Sequence, residues 1–136
     1  MTAPVGRREF FALEAGEYLE RLALLVGGAE PPGAEELVRH ARALRGAALM
    51  AGPPGYATAA GAIESTSKAL RDQTLEWTPG LAERLAHAIE DCKGLLRRVR
   101  EWTDTDTQHC ERIAEQLETE PGSRDRRRGG YGGAGS

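Results

Sequence analysis

The stretch LVRHARALRGAALMAG, residues 37–52, decides how the rest of the chain is interpreted. Its small and apolar residues recur at the three- and four-residue spacing of one helix face, which predicts an amphipathic helix. Gly46 lies inside this pattern, although glycine costs about 1 kcal/mol relative to alanine in a helix interior. The residues of the predicted core stripe are Leu37, Ala41, Leu44, Ala48 and Ala51.

The opposite face of this predicted helix carries arginine. At about 100° per residue, Arg42 lies about 160° from Leu44 and therefore points away from the core stripe. Arg39, Arg45 and Gly46 lie within about 60° of Arg42. The missing side chain at Gly46 leaves a shallow notch on this face, which would let either a neighbouring helix or another protein approach closely.

Similar apolar patterns predict further helices along the chain. Alanine and leucine dominate the apolar content and aromatic residues make up only 5%, which favours helices over strands. Thr78 as N-cap and Pro79 at the first helical position mark the start of a long fourth helix that reaches Trp102. The expected fold is all-α: an antiparallel up-down four-helix bundle with a short additional C-terminal helix.

The chain is expected to contain one folded domain with two flexible ends. The predicted parts are a flexible N-terminus over 1–8, the bundle over 9–103, a short fifth helix over 104–118 and a disordered Arg/Gly-rich tail over 119–136. The tail carries four arginines, so it could make only a weak, salt-sensitive contact with nucleic acid. A solubilising or linker role fits its composition better.

The bulk composition argues against several classes of function. The net charge of −3 gives no signal for nucleic acid, and no apolar run approaches the length of a membrane span, so a cytoplasmic protein is expected. Cys92 and Cys110 have no metal or redox spacing and are expected to be reduced thiols. A metal site that combined them with His87 and His109 would need a coincidence of folding, so we expect neither metal nor cofactor.

The helix at residues 37–52 resembles the signature helix of histidine phosphotransfer (HPt) domains, most closely that of the N-terminal phosphotransfer domain of chemotaxis-type histidine kinases. That signature reads leucine–aromatic–Arg–Ala–Ala–His–x–Leu–Lys–Gly–Ser–Ala, with another glycine six residues after the first. The stretches REFFALEAGEYLERLALLV and AAGAIESTSKALRD are similar to the first and third helices of the family, so the resemblance covers about residues 9–102. The matching signature positions are Leu37, Arg39, Ala41, Leu44, Gly46, Ala48 and Gly52.

The resemblance implies that Arg42 holds the place of the phosphoaccepting histidine and that Arg45 stands where the family has lysine. Glu64 occupies the position of the family's glutamate that hydrogen-bonds the histidine. Arginine cannot serve as the nucleophile, because its pKa above about 12 keeps the guanidinium protonated at neutral pH. We therefore expect a degenerate, non-enzymatic HPt module that binds a response-regulator receiver domain or a histidine kinase without accepting phosphate. The predicted partner-binding residues are Arg39, Arg42, Arg45, Gly46 and Glu64.

Two alternatives remain open at the level of sequence. In the first, the protein accepts phosphate on His40, although this residue lies about 160° from Arg42, against the apolar stripe and away from Glu64. In the second, the chain is a helical interaction or dimerisation module outside phosphorelays, which binds a partner through its long fourth helix. We further expect Arg42 to pair with Glu64.

Overall fold

The computed structural model describes residues 6–118, which form five α-helices and a short 3₁₀-helix without any strand. The predicted all-α class is therefore confirmed. The expectations for residues 1–5 and for the Arg/Gly-rich tail at 119–136 lie outside the described residues. The elements are α1 (Arg7–Val26), α2 (Ala34–Ala51), α3 (Tyr56–Arg71), α4 (Pro79–Leu96), the 3₁₀-helix (Val99–Glu101) and α5 (Asp104–Glu118).

Helices α1 to α4 form an antiparallel bundle, and α5 packs beside α3 and α4. The directions follow from the contacts: Arg8 near the start of α1 donates to the carbonyl of Val99, whereas Glu20 near its end meets Lys93 of α4. Between α3 and α4, the buried Tyr56 hydroxyl donates to the carbonyl oxygen of Cys92 at 2.7 Å. The predicted bundle with one additional helix is thus confirmed.

The most enclosed helix is α3, because α2 covers one of its sides and α5 covers another. Small residues at Ala59, Ala60 and Ala62 are buried along it, and they allow the neighbouring helices to approach closely. Polar residues of α3 are buried as well. Ser67 is satisfied by donating to the carbonyl of Ile63, one turn earlier, whereas Glu64 needs partners from outside its own backbone.

The prediction of one continuous fourth helix reaching Trp102 is wrong. α4 ends at Leu96, and the chain turns through the 3₁₀-helix before α5 begins. The turn is fixed by Asp106, whose carboxylate accepts from the Arg98 guanidinium at 2.7 Å and from the Thr103 backbone amide at 2.9 Å. The second bond caps the first turn of α5, so the TDTDT segment starts a helix of 15 residues.

The first helix also begins earlier than expected. α1 includes Arg7 and Arg8, which the sequence placed in a flexible N-terminus. Glu9 explains the earlier start, because its carboxylate accepts from the backbone amide of Gly6 at 2.6 Å and so satisfies a free donor of the first turn.

Replacing Tyr56 with phenylalanine should lower the free energy of unfolding by about 1 kcal/mol, because the change removes a buried hydrogen bond while keeping the ring. Tyr18→Phe is the matched control, since the Tyr18 hydroxyl donates only to the exposed Glu14 carboxylate. Urea denaturation of the two variants beside the wild type measures both effects. Equal losses for the two substitutions would contradict the role given to the Tyr56–Cys92 bond.

Candidate functional site

The candidate site is centred on the carboxylate of Glu64, whose side chain is only 6% exposed. Arg42 Nε donates to Glu64 Oε2 at 3.3 Å, so the pairing expected from the sequence is present. Lys68 Nζ lies 3.2 Å from the same oxygen, and Arg45 Nη1 lies 3.5 Å from Oε1. We call these four residues the Glu64 cluster.

Two antiparallel helices bring the Glu64 cluster together. Lys68 follows Glu64 by one turn of α3, at the four-residue spacing that places side chains on one helix face. Arg42 and Arg45 lie one turn apart on α2 and reach across to α3. The Arg45 side chain lies beside Gly61 of α3, where an added Cβ atom would make an ordinary 3.5 Å contact with Arg45 Cδ.

The cations decide the protonation state of Glu64. Burial raises the pKa of this carboxyl, but hydrogen bonds from Lys68 and Arg42, together with the positive charges of Lys68 and Arg45, more than offset it. The pKa therefore lies below its ordinary value, and Glu64 is a carboxylate at neutral pH. Three positive groups surround one negative group, and the three cationic side chains remain partly exposed. The cluster thus presents excess positive charge at the surface.

Gly46 is not required for packing inside the molecule. A Cβ atom built at this position would meet nothing within 4 Å among the described residues. Close approach of a neighbouring helix is therefore not the reason for glycine here. Gly46 lines a shallow groove of about 390 Å³ between α1 and α2, which Phe10 and Met50 also line. We call it the Gly46 groove. Phe10 and Met50 are 62% and 78% exposed, so an apolar surface lies beside the glycine.

The remaining predicted residues lie apart from the Glu64 cluster. Arg39 lies 3.4 Å from the exposed Glu36, one turn earlier on the same helix. His40 is half-buried, and it is not among the three residues that form ion pairs with Glu64. Burial lowers the pKa of His40, and the charges of Arg39 and Arg21 lower it further. His40 is therefore neutral at pH 7. It does not form an ion pair with the Glu64 carboxylate.

The other histidines and the cysteines form no candidate metal centre. His87 and His109 lie 3.6 Å and 3.5 Å from the same oxygen of Asp91. Cys92 and Cys110 are free and buried, and burial raises the pKa of the Cys110 thiol to about 12. Within residues 6–118, no group of three or more potential ligands is placed to hold a metal ion.

Sequence reasoning missed three residues of the Glu64 cluster and the Gly46 groove. Lys68 could have been recognised, because its four-residue spacing from Glu64 is visible in the sequence. Phe10 and Met50 could not, since each lies outside the core stripe of its own helix and only the pairing of α1 with α2 brings them together.

Comparison with known protein families gives a match. The family model of the Hpt domain matches residues 8–102, more than half of the chain, and α5 follows the matched region. The comparisons found no match among curated proteins or among solved structures. None of the helices within residues 6–118 has the length and apolar character that crossing a membrane requires.

Replacing Glu64 with glutamine should lower the free energy of unfolding at pH 7 by about 1–2 kcal/mol, because hydrogen bonds to a charged group are lost. Since the folded-state pKa of Glu64 is depressed, its stabilisation is fully present above the ordinary value of 4.5 and is lost as the pH falls through the folded-state value. The difference between wild type and variant should therefore shrink below about pH 4. Urea denaturation across this pH range measures it.

Glu36→Gln is the matched control for this measurement. Its ion pair with Arg39 is exposed at both ends, so its loss should change the free energy of unfolding by less than about 1 kcal/mol at any pH. If Glu64→Gln destabilised the protein equally at pH 3 and pH 7, the charge of Glu64 would not be the source of the effect.

Proposed function

The chain belongs to the Hpt domain family, whose members act in two-component phosphorelay signalling, and we propose that this member docks on its partner without accepting phosphate. Hpt domains mediate phosphoryl transfer between histidine kinases and receiver domains, and they are not enzymes in the ordinary sense. The observation that carries the proposal is the contact between Glu64 and a guanidinium, that of Arg42, on α2. Within the family, we propose that the chain is most similar in type to the N-terminal phosphotransfer domain of chemotaxis-type kinases.

The chemistry of Arg42 supports a role without transfer. A histidine that accepts phosphate attacks with an uncharged ring nitrogen that carries a free electron pair. A guanidinium offers only N–H donors and stays protonated throughout the physiological range. In the proposed assignment, Arg42 occupies the phosphoacceptor position of the signature helix.

Docking is supported by the surface around Arg42. Its side chain is 60% exposed, and Arg45 and Lys68 add two further cations beside it. An acidic surface on a partner would be attracted to this patch, which raises the rate of encounter. The Gly46 groove then supplies exposed apolar area, which contributes affinity when it is covered. A receiver domain or a histidine kinase that docks here would contact both features.

Phosphate labelling tests the absence of transfer. Incubated with an active histidine kinase or with a phosphorylated receiver, the wild-type protein should remain unlabelled. Arg42→His should gain acid-labile phosphate, because this substitution places an imidazole beside the carboxylate of Glu64. Arg39→His is the matched control and should stay unlabelled, since position 39 lies beside Glu36 instead.

Acid-labile label on the wild-type protein would overturn the proposal. If that label disappeared in His40→Gln, the protein would be an active phosphotransfer domain with a displaced acceptor. If Arg42→His stayed unlabelled while a functional Hpt domain took up label from the same donor, position 42 would not be equivalent to the phosphoacceptor.

Two substitutions at Gly46 separate its structural role from its docking role. Gly46→Ala should raise the free energy of unfolding by about 1 kcal/mol, because the helix gains propensity and the new methyl meets open space. Gly46→Leu should weaken binding of a receiver domain or kinase by about tenfold or more, since it fills part of the groove. Denaturation and isothermal titration calorimetry measure the two effects.

Gly94→Ala is the matched control on α4, where an added Cβ would make only an ordinary 3.8 Å contact with Arg97. It should raise stability by a similar amount and leave binding unchanged. Unaltered partner binding by Gly46→Leu would remove the Gly46 groove from the proposed docking surface.

A further inference from the structure

The Glu64 cluster contains more hydrogen-bond donors than its one carboxylate can use. Arg42 Nε and Lys68 Nζ contact the same oxygen, and Arg45 contacts the other. An arginine carries five N–H donors and a lysine three, whereas a carboxylate offers about four acceptor positions. Many donors of the cluster therefore remain available at the surface, close to one another and with excess positive charge.

A shallow depression adjoins the donors of Arg45 and Lys68. It has a volume of about 470 Å³ and is lined by Arg45, Lys68 and Glu64, together with the hydroxyl-bearing residues Thr58 and Ser65. Glu118 is an additional acid in its lining. The depression is large enough for a phosphoryl group, and several of its side chains can donate hydrogen bonds to oxyanion oxygens.

We propose that Arg42, Arg45 and Lys68 bind the phosphoryl group of a phosphorylated aspartate on a docked receiver domain. The protein would then distinguish the phosphorylated receiver from the unphosphorylated one. Guanidinium groups suit phosphoryl oxygens because their planar fork can donate two parallel hydrogen bonds, and the lysine adds a compact positive charge. This inference rests on the proposed function, since it assumes that a receiver domain docks on this face.

Glu64 holds the three cationic side chains in place, which distinguishes them from mobile, solvated surface charges. Its nearly buried carboxylate holds one cationic group from each of three side chains within 3.5 Å. Side chains that are already held in place lose less conformational entropy when a ligand binds. Arg39 shows the contrast, because its one ion pair is with the exposed Glu36 and leaves both side chains largely in solvent.

The test compares each receiver domain of the source genome in two states, with and without beryllofluoride, which mimics the phosphoryl group on the aspartate. We expect at least one purified receiver to bind the wild-type protein about tenfold more tightly in the beryllofluoride state, as one or two charge-assisted hydrogen bonds would produce. Lys68→Gln should reduce this preference to about threefold or less, and the ratio of the two affinities separates this loss from a general weakening of docking. Calorimetric titrations measure both affinities.

Two further variants test whether the positive charge at position 68 is responsible for the preference. Lys68→Arg should retain the preference, because the positive charge remains. Lys93→Gln is the matched control on α4, where Lys93 likewise bridges two acids, Glu20 and Glu90, and it should keep the full preference.

Equal affinity for both states, or a preference that survives in Lys68→Gln, would overturn the inference and leave the proposed function intact. Failure of every receiver to bind in either state would remove receiver docking from the proposed function, and the inference would fall with it.

Discussion

The buried carboxylate of Glu64 is the constraint on which this surface depends. A carboxylate taken out of water is costly unless cations or hydrogen bonds compensate it. α3 offers Lys68 for this purpose, and α2 supplies Arg42 and Arg45. Because both arginines must reach one residue of α3, the ion pairs favour a single register between the two helices. The same contacts place three positive groups at the surface, so a requirement of the fold also determines the charge of the candidate site.

Periodicity was sufficient to predict the helices and most of the core, because each stripe repeats within its own helix. The pairing of Arg42 with Glu64 was also accessible, since it followed from matching two helices to one signature. The burial of Glu64 was not, because it arises where α3 packs against other helices, at residues distant in sequence. The end of α4 at Leu96 was missed for a related reason: Arg98 and Thr103 both bond to Asp106, which lies beyond the apparent helix.

In the proposed assignment, the chemistry of the side chain beside Glu64 would separate this site from one that transfers phosphate. An imidazole beside a carboxylate keeps a nitrogen electron pair that can attack phosphorus. A guanidinium in that position makes the same contact with the carboxylate but presents only donors and a permanent charge. It can therefore attract and orient a phosphoryl group without forming a bond to it. Under this proposal, the helices that support transfer in the family would serve recognition alone, and the difference would lie in one side chain.

Gly46 adds an independent physical argument for an external partner. A glycine inside α2 lowers helix stability by about 1 kcal/mol relative to alanine, and no atom of residues 6–118 that lies within 4 Å of the missing Cβ requires it. Phe10 and Met50 line its groove with exposed apolar side chains, and Arg42 of the Glu64 cluster lies one helical turn away on α2. These two components act differently on binding: apolar area contributes affinity once water is excluded, whereas exposed charges act at longer range on encounter and on the choice of partner. A surface that combines both beside an open glycine is suited to a partner that approaches α2 closely and carries negative charge.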